Sequence, residues 1–396
     1  MTKAIAKSMS ETVVTDLNEQ LDVRQRLQQL AEWHDEWVRA REQLRQRARD
    51  MADTLIAAQQ AAQMASLERR LRLQQVRIPL EITPQTIKQV GYAALRQHLV
   101  EQFTQLAPEE RLLWLNNFLF IMTPDVRQLN DKFERTRDYC SFGQQRNFLL
   151  GGDSGAGKTT FLDWFSSNYM PTIERDRTHV PVIKIDAPEG ASPKPLFQRI
   201  ILACGMNYLE RDNEQRLMEK IALFFFKCSV EVVIIDEVEH IKSHGVRRRV
   251  LEISNMTYGV PIVCASCQPH LWTLGDPEVA RRWNDYFRLK PYAGERLNQL
   301  LSYVNLLLPF TQDSFTGLSL KTKKAAANGE QNTMVKLIEG WTGGNLNNIM
   351  ILVDQASREA IRAKKPCLDE ELLKKTWKDI QTSPAIIQTS KGNQKL

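Results

Sequence analysis

No apolar run in this chain approaches the roughly 18–20 residues that a membrane span requires. The opening residues Met1 to Ser10 lack the apolar core of a secretory signal, so the expected location is the cytoplasm, with no membrane partner. Cysteine is sparse: Cys140, Cys204, Cys228, Cys264, Cys267 and Cys367, mostly in apolar surroundings, as reduced core thiols are. Cys264-Ala265-Ser266-Cys267 has CxxC spacing, but no second pair exists to complete a zinc site. No internal repeat is found. Glycine and proline are absent from Val13 to Val76, a stretch rich in Gln, Arg, Ala, Leu and Glu, all good helix formers.

That glycine-free stretch carries one heptad-like seam from Val23 through Leu27, Leu30, Trp37, Leu44, Met51 and Leu55, interrupted by His34 and Arg41. It predicts a long helix or helical hairpin over residues 1–78. With 13 Lys/Arg and 11 Asp/Glu, residues 1–78 are nearly balanced. They read as a solvated helix with a stripe for a partner or for the protein's own body, not as a nucleic-acid tail. Pro79 and Pro84 open a helical region over 79–117. Helices are predicted at Thr86 to Phe103, Pro108 to Phe120 and Pro124 to Tyr139. An α/β core over 118–293 follows, then a helical region over 294–382 with a polar loop at 314–332, and a polar tail over 383–396. A length of 396 residues and an apolar fraction of 42% suit two or three globular domains. The net charge of +6 permits a polyanion partner.

Strands are predicted at Asn147–Leu150, Val180–Ile185, Val230–Ile235, Val260–Ala265 and Tyr286–Leu289, separated by helical stretches. Continuous apolar strands alternating with helices predict a parallel sheet covered on both faces. Between the first strand and its helix stands Gly152-Asp153-Ser154-Gly155-Ala156-Gly157-Lys158-Thr159, followed by Thr160. Glycines let this backbone curl so that N–H groups point at a polyphosphate, and the next helix adds its positive end. Lys158 reaches the β- and γ-phosphates and the Thr159 hydroxyl ligates Mg²⁺. The expected ligands are therefore ATP and Mg²⁺.

The third strand ends in Asp236-Glu237. Asp236 would hold the metal and Glu237 would polarise the attacking water. The fourth strand ends in Ser266, Cys267 and Gln268, where a γ-phosphate sensor belongs; Ser266 and Gln268 are both candidates. Arg281 and Arg282 precede Trp283 and the last strand. An arginine there, Arg282 favoured, would reach a neighbouring subunit's nucleotide and stabilise charge on the γ-phosphate.

Taken in order, these motifs resemble the AAA+ ATPase family. More narrowly, they resemble the transposition regulators of the TnsC/TniB group, related to MuB. The closer likeness lies in Phe120-Ile121-Met122-Thr123-Pro124 with Arg146 to Gly155, in Ala187-Pro188-Glu189 with Pro195-Leu196-Phe197, in Ile235 to His240, and in Gly259 to Val263. It covers about residues 118–360.

The resemblance implies an AAA+ P-loop domain with a five-stranded parallel sheet, a helical lid and a helical N-terminal extension. It implies an ATPase that oligomerises on double-stranded DNA as a hexameric or heptameric ring or a helical filament. The implied partners are a transposase and a TniQ/TnsD-like target-selection protein, with or without a CRISPR-associated RNA-guided complex. DNA contacts would come from Lys194, Arg199, Lys242, Arg247, Arg248 and Arg249. Where many relatives carry a lid arginine, this chain has Asn345, Asn347 and Asn348, which implies an uncharged lid contact and slow hydrolysis that partners stimulate. A helicase loader, a replication-initiator-like ATPase and an ATP-dependent scaffold with little hydrolysis are the alternatives.

Overall fold

The computed structural model describes residues 22–32, 35, 39, 91–118, 120–141, 146–169, 171–173, 178–190, 192–257, 259–315 and 333–382. Most of the helical segment expected over 1–78, the helix start at 86–90, most of the polar loop 314–332 and the tail 383–396 lie outside the described residues. The described residues divide into two compact units: one holds 35, 39 and 125–290, the other 22–32, 91–124 and 291–382.

In the unit 125–290, five strands run in parallel: β1 (Phe148–Gly152), β2 (Val182–Asp186), β3 (Val232–Asp236), β4 (Ile262–Ser266) and β5 (Asp285–Leu289). Their order across the sheet is β2-β3-β4-β1-β5. Every residue of β1, β3 and β4 is buried, as continuous apolar strands require when helices cover both faces. The principal core joins the sheet to the helices Lys194–Ala203, Glu214–Lys227 and His244–Met256 through residues such as Phe197, Ile200, Ile221, Phe225, Val250 and Ile253. A second packing layer brings Phe133 edge-on to Phe148, Phe161 and Phe165, at ring separations of 5.0–5.2 Å. Because parallel register is shared, the C-terminal strand ends, and the polar residues on them, lie along one edge.

The other unit is helical throughout. The helices Tyr92–Thr104 and Pro108–Phe118 belong to it together with Gly294–Leu307, Thr333–Thr342, Leu346–Arg362 and Glu370–Thr382. The described parts of the regions 79–117 and 294–382, distinguished in the sequence, thus supply one body. Arg96 shows why. Its buried guanidinium donates to the carbonyls of Leu306, Leu308, Phe310 and Gln312 and to Asp313, using its fork to satisfy the orphan acceptors past a helix C-terminus. The Trp114 indole donates to Leu307 O at 2.8 Å beside it. No helix among the described residues is long and apolar enough to cross a membrane. The fold class expected from the resemblance is the one observed.

Gly344 illustrates a backbone constraint in this unit. Its φ is +69°, and a Cβ there would sit 2.2 Å from Tyr292 O, the residue whose N–H donates to Gly344 O at 2.8 Å. Gly343 also has a positive φ of +61°, yet open space surrounds it. Gly344→Ala is expected to destabilise by roughly 3 kcal/mol and Gly343→Ala by about 1 kcal/mol. Urea midpoints of the two variants check this; equal midpoints would refute the close approach.

Candidate nucleotide site

The phosphate loop hangs between buried β1 and the helix Lys158–Ser167. Gly157 caps that helix in the left-handed region, φ 93°, where a side chain is strained. The Lys158 ammonium donates to the loop carbonyls of Gly152 at 2.7 Å and Asp153 at 3.1 Å. Asp153 also pairs with Arg288 of β5 at 3.1 Å, so a residue the sequence analysis did not single out props the loop. Ser154, Gly155, Ala156 and Thr160 complete the loop and helix start, half-buried or exposed.

Thr159 Oγ donates to Asp236 Oδ2 at 2.7 Å, across 77 residues of chain. Two hard oxygens, one anionic, are thereby placed side by side at the loop's mouth, which is the donor chemistry Mg²⁺ takes. Asp236 is 1% exposed. Burial pushes its carboxyl up from the ordinary range, against the Thr159 bond and the nearby Lys184 charge. Lys184, on β2, pairs with Asp163 at 2.8 Å and Asp186 at 3.6 Å. Burial works against its charge, but the bond to Asp163 and the surrounding carboxylates hold its pKa above the usual value. Among the described residues no group of three or more His, Cys, Asp or Glu side chains is arranged to hold a metal.

Glu237 follows in the left-handed region, φ 57° and ψ 38°, a costly conformation for a non-glycine residue. Its N–H donates to Asp236 Oδ1 at 2.9 Å. Its carboxylate is exposed and lies 3.8 Å from His240 Nε2. The turn therefore aims one acid inward at Thr159 and leaves the next one accessible, as a metal ligand and a general base require.

Ser266 ends β4, 1% exposed. It accepts the Gln268 N–H at 2.9 Å. Glu239 accepts from Cys267 Sγ at 2.9 Å and Cys267 N at 3.4 Å. Burial opposes its charge, yet these bonds, together with its own backbone's, hold its carboxyl below the ordinary range. Glu239 thus ties the turn bearing Glu237 to the end of β4. The only signal for it in the sequence was its place three residues past Asp236. The side chain of Gln268 is exposed. Burial, followed by the bond to Glu239, raises the Cys267 thiol to about 11, and burial raises that of Cys264 well above its usual value. Thiolate chemistry, which needs a lowered pKa, is disfavoured at the CxxC.

Arg281 and Arg282 end the short helix Pro277–Arg282, which Asp276 caps. Trp283 behind them is buried and packs edge-on against Trp272 at 5.5 Å. The arginines line a cleft of about 640 Å³ with Arg146, Asn284 and Asp285. Arg146 was not singled out in the sequence.

Asn345 belongs to the helical unit. Its side chain accepts Asn348 N and so caps the helix Leu346–Arg362, the ordinary role of an N-cap asparagine.

Of the six basic residues assigned to DNA, the structure withdraws Arg247. It is 8% exposed, and its guanidinium donates to the carbonyls of Trp272 and Leu274. Arg248 pairs with the helix-capping Asp276 at 2.7 Å and Arg249 with Glu252 at 2.5 Å. Lys194 donates to Glu210 O and Arg199 to Asp186 O. Lys242 is exposed.

Residues 111–292 match the family described as Bacterial TniB protein, in keeping with the resemblance carried by the motifs. No curated protein matches the chain. Solved structures similar to it include the Aeropyrum pernix Orc1 protein in complex with DNA, at 14% identity, 72% of this chain and 69% of that one, TM-score 0.44. Others are Cdc6p from Pyrobaculum aerophilum, at 12% identity, 65% and 67%, TM-score 0.47, and the Thermotoga maritima RuvB Holliday junction branch migration motor, at 15% identity, 63% and 70%, TM-score 0.38.

Proposed function

We propose that this chain is an AAA+ ATPase that regulates DNA transposition by assembling on duplex DNA in its ATP-bound state. The observation that carries the ATPase reading is the 2.7 Å bond from Thr159 to buried Asp236, with Glu237 turned outward beside it. The TniB match over residues 111–292 supports the assignment to transposition.

ATP lies with its phosphates on the loop N–H groups of residues 153–159, and Lys158 exchanges its carbonyl partners for phosphate oxygens. Thr159 and Asp236 would hold Mg²⁺, which would supply charge neutralisation to the phosphates. Glu237 takes a proton from the attacking water as its oxygen bonds to the γ-phosphorus. The bond to the bridging oxygen breaks, and ADP leaves with the electron pair. Cys267 holds Glu239, which fixes the turn from which Glu237 projects, and Ser266 senses the γ-phosphate from the end of β4. Arg281 and Arg282 reach the γ-phosphate of a neighbouring copy, so hydrolysis waits on assembly. Lys194 and Lys242 are the contacts to DNA phosphates, with Arg199 beside Lys194; the carboxylate partners of Arg248 and Arg249 reduce their share. A target-selection protein positions the assembly, and the transposase docks and stimulates an intrinsically slow hydrolysis that disassembles it.

Specific ATP turnover is expected to rise with protein concentration and again on adding duplex DNA. Turnover proportional to protein at every concentration, with or without DNA, would overturn the assembly-dependent mechanism.

A further inference from the structure

The arginine cleft sits at the end of the sheet opposite the phosphate loop. β1 and β5 are paired in parallel, Phe148 with Asp285 and Gly152 with Leu289. Arg146 precedes the start of β1, Arg281, Arg282 and Asn284 precede the start of β5, and the phosphate loop leaves the far end of β1. Five residues at about 3.3 Å each put roughly 16 Å between the two ends. An anion in the cleft is therefore not this copy's own nucleotide.

The lining is strongly cationic. Arg146, Arg281, Arg282 and Asn284 line it with a single acidic residue, Asp285, which also accepts from Lys132 at 2.7 Å. The backbone on both sides is rigid. Asn147, next to Arg146, is fully buried, and its Oδ1 accepts from Ile262 N at 2.8 Å and from Ser254 Oγ at 3.3 Å. Trp283, next to Arg282, is locked against Trp272. Arg146 and Arg282 are thus each one residue from a fixed anchor, an arrangement that preorganises donors for charge.

We infer that Arg146 is a third phosphate-binding arginine, which together with Arg281 and Arg282 receives the nucleotide polyphosphate of a second copy of this chain. This rests on the proposed trans action of Arg281 and Arg282 and adds a catalytic residue to it. Guanidiniums gathered around a single cleft suit a compact, highly charged anion. Duplex phosphates, spaced along a line, favour a row of cations instead. As water attacks the γ-phosphorus and ADP departs, negative charge spreads over the γ-oxygens, and the cleft's guanidiniums donate to it.

The test mixes inactive variants of the full-length protein. At protein concentrations where copies stay apart, Arg146→Ala is expected to bind a fluorescent ATP analogue as the wild type does under the same conditions, because a copy's own loop is at the other end of the sheet. Its turnover should fall on the order of 100-fold. Mixing it with Lys158→Ala should restore turnover to about a quarter of wild type, the share of interfaces that join an intact loop to an intact cleft. Arg146→Gln, which keeps a polar side chain of similar length, should behave in the same way and guards against misfolding of the alanine variant. If Arg282→Ala with Lys158→Ala recovers turnover but neither Arg146 variant does, the role of Arg146 falls and trans catalysis stands. If no mixture recovers, trans catalysis falls as well. If the Arg146 variants lose DNA affinity at unchanged DNA-free turnover, the cleft is a nucleic-acid surface and the inference is overturned.

Discussion

Glu237→Gln is expected to lower ATP turnover by about 10²–10⁴-fold, the contribution of a positioned general base, while ATP binding stays intact. The left-handed turn at Glu237 aims its carboxylate away from the Asp236–Thr159 pair. The neutral amide therefore leaves the phosphate loop and the metal-binding oxygens as they were. Because ATP is then bound but not consumed, assemblies on DNA should persist long after wild-type ones have dissolved. Turnover and DNA residence measured on one preparation decide the matter. A variant that hydrolyses at the wild-type rate would remove Glu237 from catalysis, and one that is inactive but no longer lived on DNA would reduce the protein to an ATP-indifferent scaffold.

Asp236→Asn is expected to abolish metal-dependent turnover and yet stabilise the fold. The buried carboxyl has a folded-state pKa above its unfolded value of about 3.9. For a raised pKa, the group's contribution to stability is full below the unfolded value and is lost as pH rises through the folded one. At neutral pH the wild type therefore carries a buried charge that the unfolded chain does not pay to solvate poorly. Asparagine keeps an acceptor for Glu237 N–H and offers an N–H to Thr159 Oγ, so the local bonds survive. In buffer with chelator and no nucleotide, Tm at pH 7.5 should rise above that of the wild type. The gain should vanish as pH falls towards 4. A Tm that falls at neutral pH would contradict the electrostatic account of the site.

All five strands of the parallel sheet were legible in the sequence: β1, β3 and β4 as continuous apolar runs, which full burial requires, and the edge strand β5 as the short apolar and aromatic run after Trp283. The expected boundaries ran early for a local reason. Val180 and Val260 are buried, but each is followed by a proline, Pro181 and Pro261, which has no N–H for the ladder, so pairing begins one residue later. Val230 instead donates to Phe225 O at the end of a helix. The strands also run further than expected, to Gly152, Asp186, Asp236 and Ser266, so that loop and site residues are held by the sheet itself.

Within the site, what was legible was set by spacing: the loop, the acid pair and the Arg281-Arg282 step. What was hidden depended on partners distant in sequence. Arg247, Arg248 and Arg249 looked like one basic patch. Consecutive helical residues point about 100° apart, so Arg247 turns inward to Trp272 and Leu274 while Arg248 meets Asp276. Arg146 reads as an ordinary strand flank until β5 brings Asn284 and Asp285 beside it. Asn345, where the resemblance implies a lid contact, caps its own helix.

The central claim is that ATP, and not ADP, drives copies of this chain together on duplex DNA. Negative-stain imaging of the full-length protein with linear duplex DNA tests it directly, with a non-hydrolysable ATP analogue in one sample and ADP in the other. The account predicts rings or filaments on DNA with the analogue and bare DNA with ADP. Isolated copies in both samples, or equal decoration in both, would contradict it.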